Sequence, residues 1–154
     1  MQKKLNNKGF TIVEVLIVLA IAGAILAGIL VAVPALQRNS RNTIAKQAAN
    51  QIVAAIADNT TANNGSAPTV SFANGVLKLT GSGSTPLDTT ISINGVTVDT
   101  SQTTAPSAKA GTVYVVPKGI CTNGATTMGT SASQFSVVFA VETSAATSAG
   151  CLQG

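Results

Sequence analysis

The residues that could do chemistry in this chain are few, and most of them are ruled out by what surrounds them. There is no histidine among the 154 residues, so the many serines and threonines lack the usual base that would activate a hydroxyl. No lysine takes that place, because none follows a serine at Ser-x-x-Lys spacing. Asp58, Asp88, Asp99 and Glu142 are scattered, without the paired spacing of general acid and base catalysis and without the alternating acids of a calcium loop. No Walker or dinucleotide-type glycine pattern occurs. No enzyme activity, cofactor or metal site is expected. Two features remain with chemical content: the pair Cys121 and Cys151, and a single carboxylate, Glu14, at the head of an apolar run.

Residues 15–33 contain no charged or amide side chain. At a rise of about 1.5 Å per residue this segment spans roughly 28 Å as a helix, close to the ~30 Å hydrocarbon core of a bilayer. An unpaired acid at the centre of such a helix costs about 2.5 to 3.5 kcal/mol, so Glu14 needs a partner. An ordinary secretory signal is cut after its apolar region, whereas here the basic residues and Gly9 precede it. Lys3, Lys4 and Lys8 stand on one side of the segment and Arg38, Arg41 and Lys46 on the other, so a count of basic residues leaves its orientation undecided.

The run Lys8-Gly9-Phe10-Thr11-Ile12-Val13-Glu14-Val15-Leu16 resembles the N-terminus of type IV prepilins of the short-leader, type IVa class. The resemblance covers about the first quarter of the chain. It implies a leader over residues 1–9, cleavage between Gly9 and Phe10 by a membrane prepilin peptidase, and N-methylation of Phe10. It also implies a single-pass subunit held in the cytoplasmic membrane, then assembled by a pilus platform into an extracellular homopolymer. In that family the acid at the position of Glu14 serves assembly and sets subunit register. The chemistry is compatible: a freed α-amine on Phe10 has a pKa near 8 and is largely cationic at pH 7. At helical spacing i, i+4 Glu14 could meet that amine on its own chain or on a neighbour. The competing readings are a pseudopilin of type II secretion or DNA uptake, and an uncleaved, membrane-anchored adhesin-like protein. Low charge and a Thr/Ser-rich surface suit a major pilin exposed outside the cell, and motility and cell adhesion are roles that the resemblance implies for such a filament.

The formal net charge of +4 falls when the leader's three lysines are removed, leaving six basic against five acidic residues, too little to argue nucleic-acid binding. An even cysteine count without histidine, in a compartment expected to be oxidising, favours a Cys121–Cys151 disulfide over a metal site. The alternative is two free buried thiols. Closing a loop of ~31 residues constrains the unfolded chain by roughly 3 to 4 kcal/mol. The prepilin resemblance likewise implies a bridge closing a C-terminal loop.

The expected fold class is α+β, pilin-like, with one long helix packed on a small antiparallel β-sheet domain. The helix is predicted over residues 10–58, its membrane and polymerisation half at 10–36 and an amphipathic half at 37–58, where Ile44, Ala48, Ile52 and Ile56 recur every four positions. Pro34 is expected to kink or open it. Ala20, Ala24 and Gly28 form a small-residue row suited to close helix approach. The β-rich head is predicted over residues 59–154. It begins with a surface connection at 59–68 that carries two acceptor-type sequons, at Asn59 and Asn64. Asn74-Gly75 and Asn94-Gly95 each predict a hairpin between alternating strands. Further strands are expected at 112–116 and 134–142, the latter central, with links at 81–86 and 100–111 and a turn at Asn123-Gly124.

Overall fold

The computed structural model describes residues 9–82, 88–102, 106–122, 125–129 and 133–154. In chain order they form α1 (Ile12–Ala62), β1 (Thr69–Ala73), β2 (Val76–Thr80), β3 (Thr89–Ser92), β4 (Thr97–Asp99), β5 (Thr112–Pro117), β6 (Gly119–Thr122), β7 (Ala125–Met128), β8 (Phe135–Glu142) and β9 (Thr147–Gln153). The turn expected at Asn123-Gly124, most of the 81–86 link and part of the 100–111 link lie outside the described residues. The chain divides into two compact units, Met1–Gln37 and Arg38–Gly154.

Within the N-terminal unit every described residue, 9–37, is exposed. Among the described residues α1 is the helix long and apolar enough to cross a membrane. Pro34 lies inside α1, where its ring withdraws the N–H that would otherwise bond the Leu30 carbonyl.

In the second unit α1 buries one stripe: Ala45, Ala48, Ala49, Ile52 and Ile56. The stripe forms a single core with Leu77 and Leu79 of β2, Val98 of β4, Val113 and Val115 of β5, and Phe135, Val137 and Phe139 of β8. Burying Ile52 or Ile56 contributes about 2 to 3 kcal/mol each, so the stripe decides which face of the helix meets the sheets. The fold is α+β as expected, but the strands make three sheets, ordered β1-β2-β3, β4-β5-β8-β9 and β6-β7. The four-stranded sheet is mixed, because β4 runs parallel to β5 while the other pairs are antiparallel.

β8 is central in that sheet, and both it and β5 are buried on both faces. Val113 and Val115 face the helix, while Tyr114, Val116 and Val138 form a second cluster that includes Cys151. The β6–β7 ribbon reaches this second face, where Thr126 and Ser136 are both buried and their hydroxyls lie 3.3 Å apart. Burial on both sides explains why β5 and β8 read as nearly continuous apolar runs.

Asn74-Gly75 makes its hairpin. Ala73 pairs with Val76 across two residues of positive φ, 52° and 78°, as a type I′ turn requires. Asn94-Gly95 does not. β3 pairs with β2, and β4 leaves for β5 in the other sheet. The Ile93 N–H bonds the Gly75 carbonyl at 2.9 Å, and Gly95, at φ 80°, passes so close to the helix that a Cβ there would lie 2.9 Å from Ile44 Cγ2. The dipeptide is therefore a crossover beneath α1, and the long-range packing of Ile93 overrides the local turn preference.

The helix also ends one turn later than its apolar period indicates. Asn59 and Asn63 continue the buried stripe with polar side chains, joined by hydrogen bonds from Asn63 Nδ2 to the Asn59 carbonyl and Oδ1. Asn59 Nδ2 also donates to Thr89 Oγ1 on β3, at 3.2 Å. The chain then stops helically with Asn64 at φ 54° and the Gly65 N–H bonded to the Thr60 carbonyl, a Schellman-type ending. Burial of Asn59 removes it as a glycan acceptor, whereas Asn64 is exposed.

Gly95→Ala should destabilise the full chain in detergent by more than Gly111→Ala. Both positions have positive φ, at a cost of about 1 to 2 kcal/mol for a side chain, but only Gly95 also meets a neighbour, which adds about 1 to 3 kcal/mol. Thermal unfolding followed by circular dichroism measures the difference; equal losses would remove the crossover explanation.

Candidate functional site

Gly9, Phe10 and Thr11 precede the helix, and Phe10 is 89% exposed. The helix starts at Ile12, so Phe10 and Glu14 do not sit at i and i+4 of one helix. Thr11 takes the N-cap role. Its N–H and its hydroxyl both donate to Glu14 Oε2 at 2.9 Å, and its Oγ1 accepts from the Glu14 N–H at 3.3 Å. The reciprocal pattern is a capping box, Thr-x-x-Glu, which satisfies helix N–H groups that have no partner within the helix. Thr-x-x-Glu just ahead of an apolar run is itself a sequence signature of a helix start. Glu14 and Phe10 still share a shallow apolar groove, lined also by Val15, Val18 and Leu19. An exposed carboxylate beside apolar rows on a membrane-length helix can bind one cation while its neighbours pack against another helix.

The two cysteines are joined: Cys121 on β6 and Cys151 on β9 form a disulfide with a Cα–Cα distance of 5.7 Å. Cys151 pairs with Val138 of β8, so the bridge ties the β6–β7 ribbon to the edge of the main sheet. Cys121 N–H also donates to Gln153 Oε1 at 3.2 Å.

A second polar contact, at Arg41, Asn42 and Glu142, had no signal in the sequence, where the partners are a hundred residues apart. Arg41 Nε and Nη2 donate to the two Glu142 carboxylate oxygens at 2.8 and 2.7 Å. Asn42 bonds the Glu142 backbone twice, donating from Nδ2 to its carbonyl and accepting its N–H at Oδ1, each at 2.8 Å. The pairing of β5 with β8 stops at Phe139, and beyond it the Asn42 amide acts on β8 as a neighbouring strand would. Arg41 holds the Glu142 carboxyl below its ordinary range, chiefly through these hydrogen bonds, with smaller help from the charges of Arg41 and Arg38. Asp99 is likewise lowered, by its bonds from the Ser101 hydroxyl and N–H and from Gln102, which account for that acid as a local turn. Among the described residues no group of three or more potential ligands is placed to hold a metal ion.

Residues 4–30 match the family model described as the prokaryotic N-terminal methylation motif, which is the signature of type IV prepilins. The chain is prepilin-like. The match spans residues on both sides of Gly9, the Thr11–Glu14 capping box and most of the apolar part of α1 in this prepilin-like chain. It indicates a prepilin of the pilin or pseudopilin type. No curated protein and no solved structure matches the chain.

The Glu142 pair makes stability depend on pH in a defined direction. A carboxyl lowered in the folded state stabilises fully above the ordinary value of an unfolded glutamate, about 4.3, and that contribution disappears as pH falls through the lower folded value. Acid unfolding of the chain should therefore steepen below about pH 4 to 5, and Arg41→Met should flatten that limb while leaving Asn42 in place. A difference between the two chains that stays constant from pH 7 to pH 3 would exclude the pair as the cause.

Proposed function

We propose that this chain is a structural subunit of a type IV pilus-like filament. The carrying observation is the prepilin-type match over residues 4–30, together with one acid on an otherwise uncharged, exposed, membrane-length helical segment. In this reading a membrane prepilin peptidase hydrolyses the Gly9–Phe10 bond, leaving a carboxylate on Gly9 and an amine on Phe10 that is then methylated. The helix anchors the subunit in the cytoplasmic membrane until the assembly platform transfers it to the filament. There the same apolar surface packs against other subunits and the head, from residue 38 onward, faces the outside.

The role of Glu14 follows from electrostatics. A carboxylate in a low-dielectric helix bundle is costly unless paired. The cut supplies one cation per subunit at the matching end of the helix, and pairing Glu14 with a neighbour's Phe10 amine would fix how far each subunit sits above the next. The helix then acts first as anchor and later as polymer interface, and the disulfide-bonded head carries whatever the filament presents.

Two measurements test this. Intact mass of filaments sheared from cells should correspond to a chain beginning at methylated Phe10, and replacing Gly9 with a bulky residue should leave the full-length chain in the membrane. Filaments that retain residues 1–9 would end the reading.

Glu14→Val separates assembly from anchoring. It makes the segment more apolar, so insertion and cleavage should be unchanged or improved. It also leaves a cationic terminus unpaired at every subunit contact, a loss of about 3 kcal/mol or more each, and should abolish filaments. Normal filaments built from Glu14→Val subunits alone would refute the pairing role.

A further inference from the structure

The Glu14 carboxylate is already engaged before any neighbour arrives. Both donors come from one residue, Thr11, and both fall on Oε2 at 2.9 Å. Glu14 Oε1 takes no hydrogen bond from the described residues. Phe10, next to Thr11 in the chain, is highly exposed and lines the same groove as Glu14.

We propose that Thr11 is a positioning residue for subunit assembly, its hydroxyl holding the Glu14 carboxylate at the start of the helix with one oxygen left to receive a neighbouring subunit's terminal amine. This rests on the filament reading above. Three physical steps carry it. A carboxylate bonded by two donors is less costly to hold in an apolar medium than a bare one, so the box lowers the cost of carrying Glu14 in the membrane while it waits. Fixing the rotamer of Glu14 removes side-chain freedom that pairing would otherwise have to freeze. Placing both bonds on Oε2 keeps the box compatible with the intermolecular contact, so a subunit does not have to break one to make the other.

A cap alone would also be lost with the Thr11 hydroxyl, so the test must distinguish a cap from a positioning residue. Thr11→Val keeps the shape and the backbone N–H and deletes the hydroxyl; Thr11→Ser restores it. Each variant is co-expressed with the unaltered chain, and its share of the sheared filaments is measured by intact mass, relative to its share of cleaved subunits in the membrane. Thr11→Val should be incorporated at least tenfold less than the unaltered chain, and Thr11→Ser to within about twofold of it. In a Glu14→Gln background, where the carboxylate is gone, adding Thr11→Val should change incorporation by less than twofold, the signature of two residues acting through one contact.

Normal incorporation of Thr11→Val would overturn the proposal. So would an equal loss in both backgrounds, because Thr11 would then act only as a helix cap. Either result leaves the filament reading intact. If the unaltered chain forms no filaments, both fall together, and that outcome is read in the control.

Discussion

The head of this protein depends on one stripe of α1. Ala45, Ala48, Ala49, Ile52 and Ile56 are the residues on which the three-stranded and the four-stranded sheets both rest. Their sizes matter as much as their apolarity. Three are alanines, small enough to permit close approach of the strands, and two are isoleucines, fully buried, which fill more of the core. The same closeness explains Gly95, which passes Ile44 where no Cβ would fit without a shift. With only five aromatic residues in the chain, the core gains stability from many tight aliphatic contacts and not from a few large side chains.

Polar contacts bound that stripe at both ends. At one end Arg41 and Asn42 hold the last residue of β8; at the other Asn59 and Asn63 bond one another and Asn59 reaches Thr89 on β3. Such groups contribute less than the apolar stripe in net free energy, but each is directional and is costly to bury unpaired. They therefore act as register marks, fixing how far along the helix the sheets sit. The disulfide performs a related task on the other face of the main sheet, tying the β6–β7 ribbon to Cys151, which packs against Tyr114, Val116 and Val138.

The N-terminal segment follows the opposite rule. Its apolar residues are exposed along their whole length, and the one acid among them is bonded locally by Thr11. An apolar surface of that extent requires a partner, which in the proposed function is first lipid and then other subunits. In that proposal the processing and assembly chemistry falls on the few residues around Gly9, Phe10, Thr11 and Glu14, ahead of the apolar part of α1.

Whatever depends on local order was legible in the sequence. It marked the prepilin-type terminus, the membrane-length helix, the amphipathic stripe, the Asn74-Gly75 hairpin and the apolar β8, because each is encoded by residues close together and by a period that survives in any context. It also contained the Thr11–Glu14 box, four residues that signal a cap. Tertiary structure decided the rest. Asn94-Gly95 carries the same turn signal as Asn74-Gly75 yet becomes a crossover, because Ile93 and Gly95 are fixed by contacts with Gly75 and Ile44. β6, β7 and β9 are rich in Thr, Ser, Ala and Gly and show little alternation, so only their neighbours define them as strands. The parallel β4–β5 pair, the extra helical turn carried by Asn59 and the Arg41–Glu142 pair all join residues whose partners lie far away in sequence. Propensity acts over a few residues, and a burial contact between distant segments outweighs it wherever the two disagree.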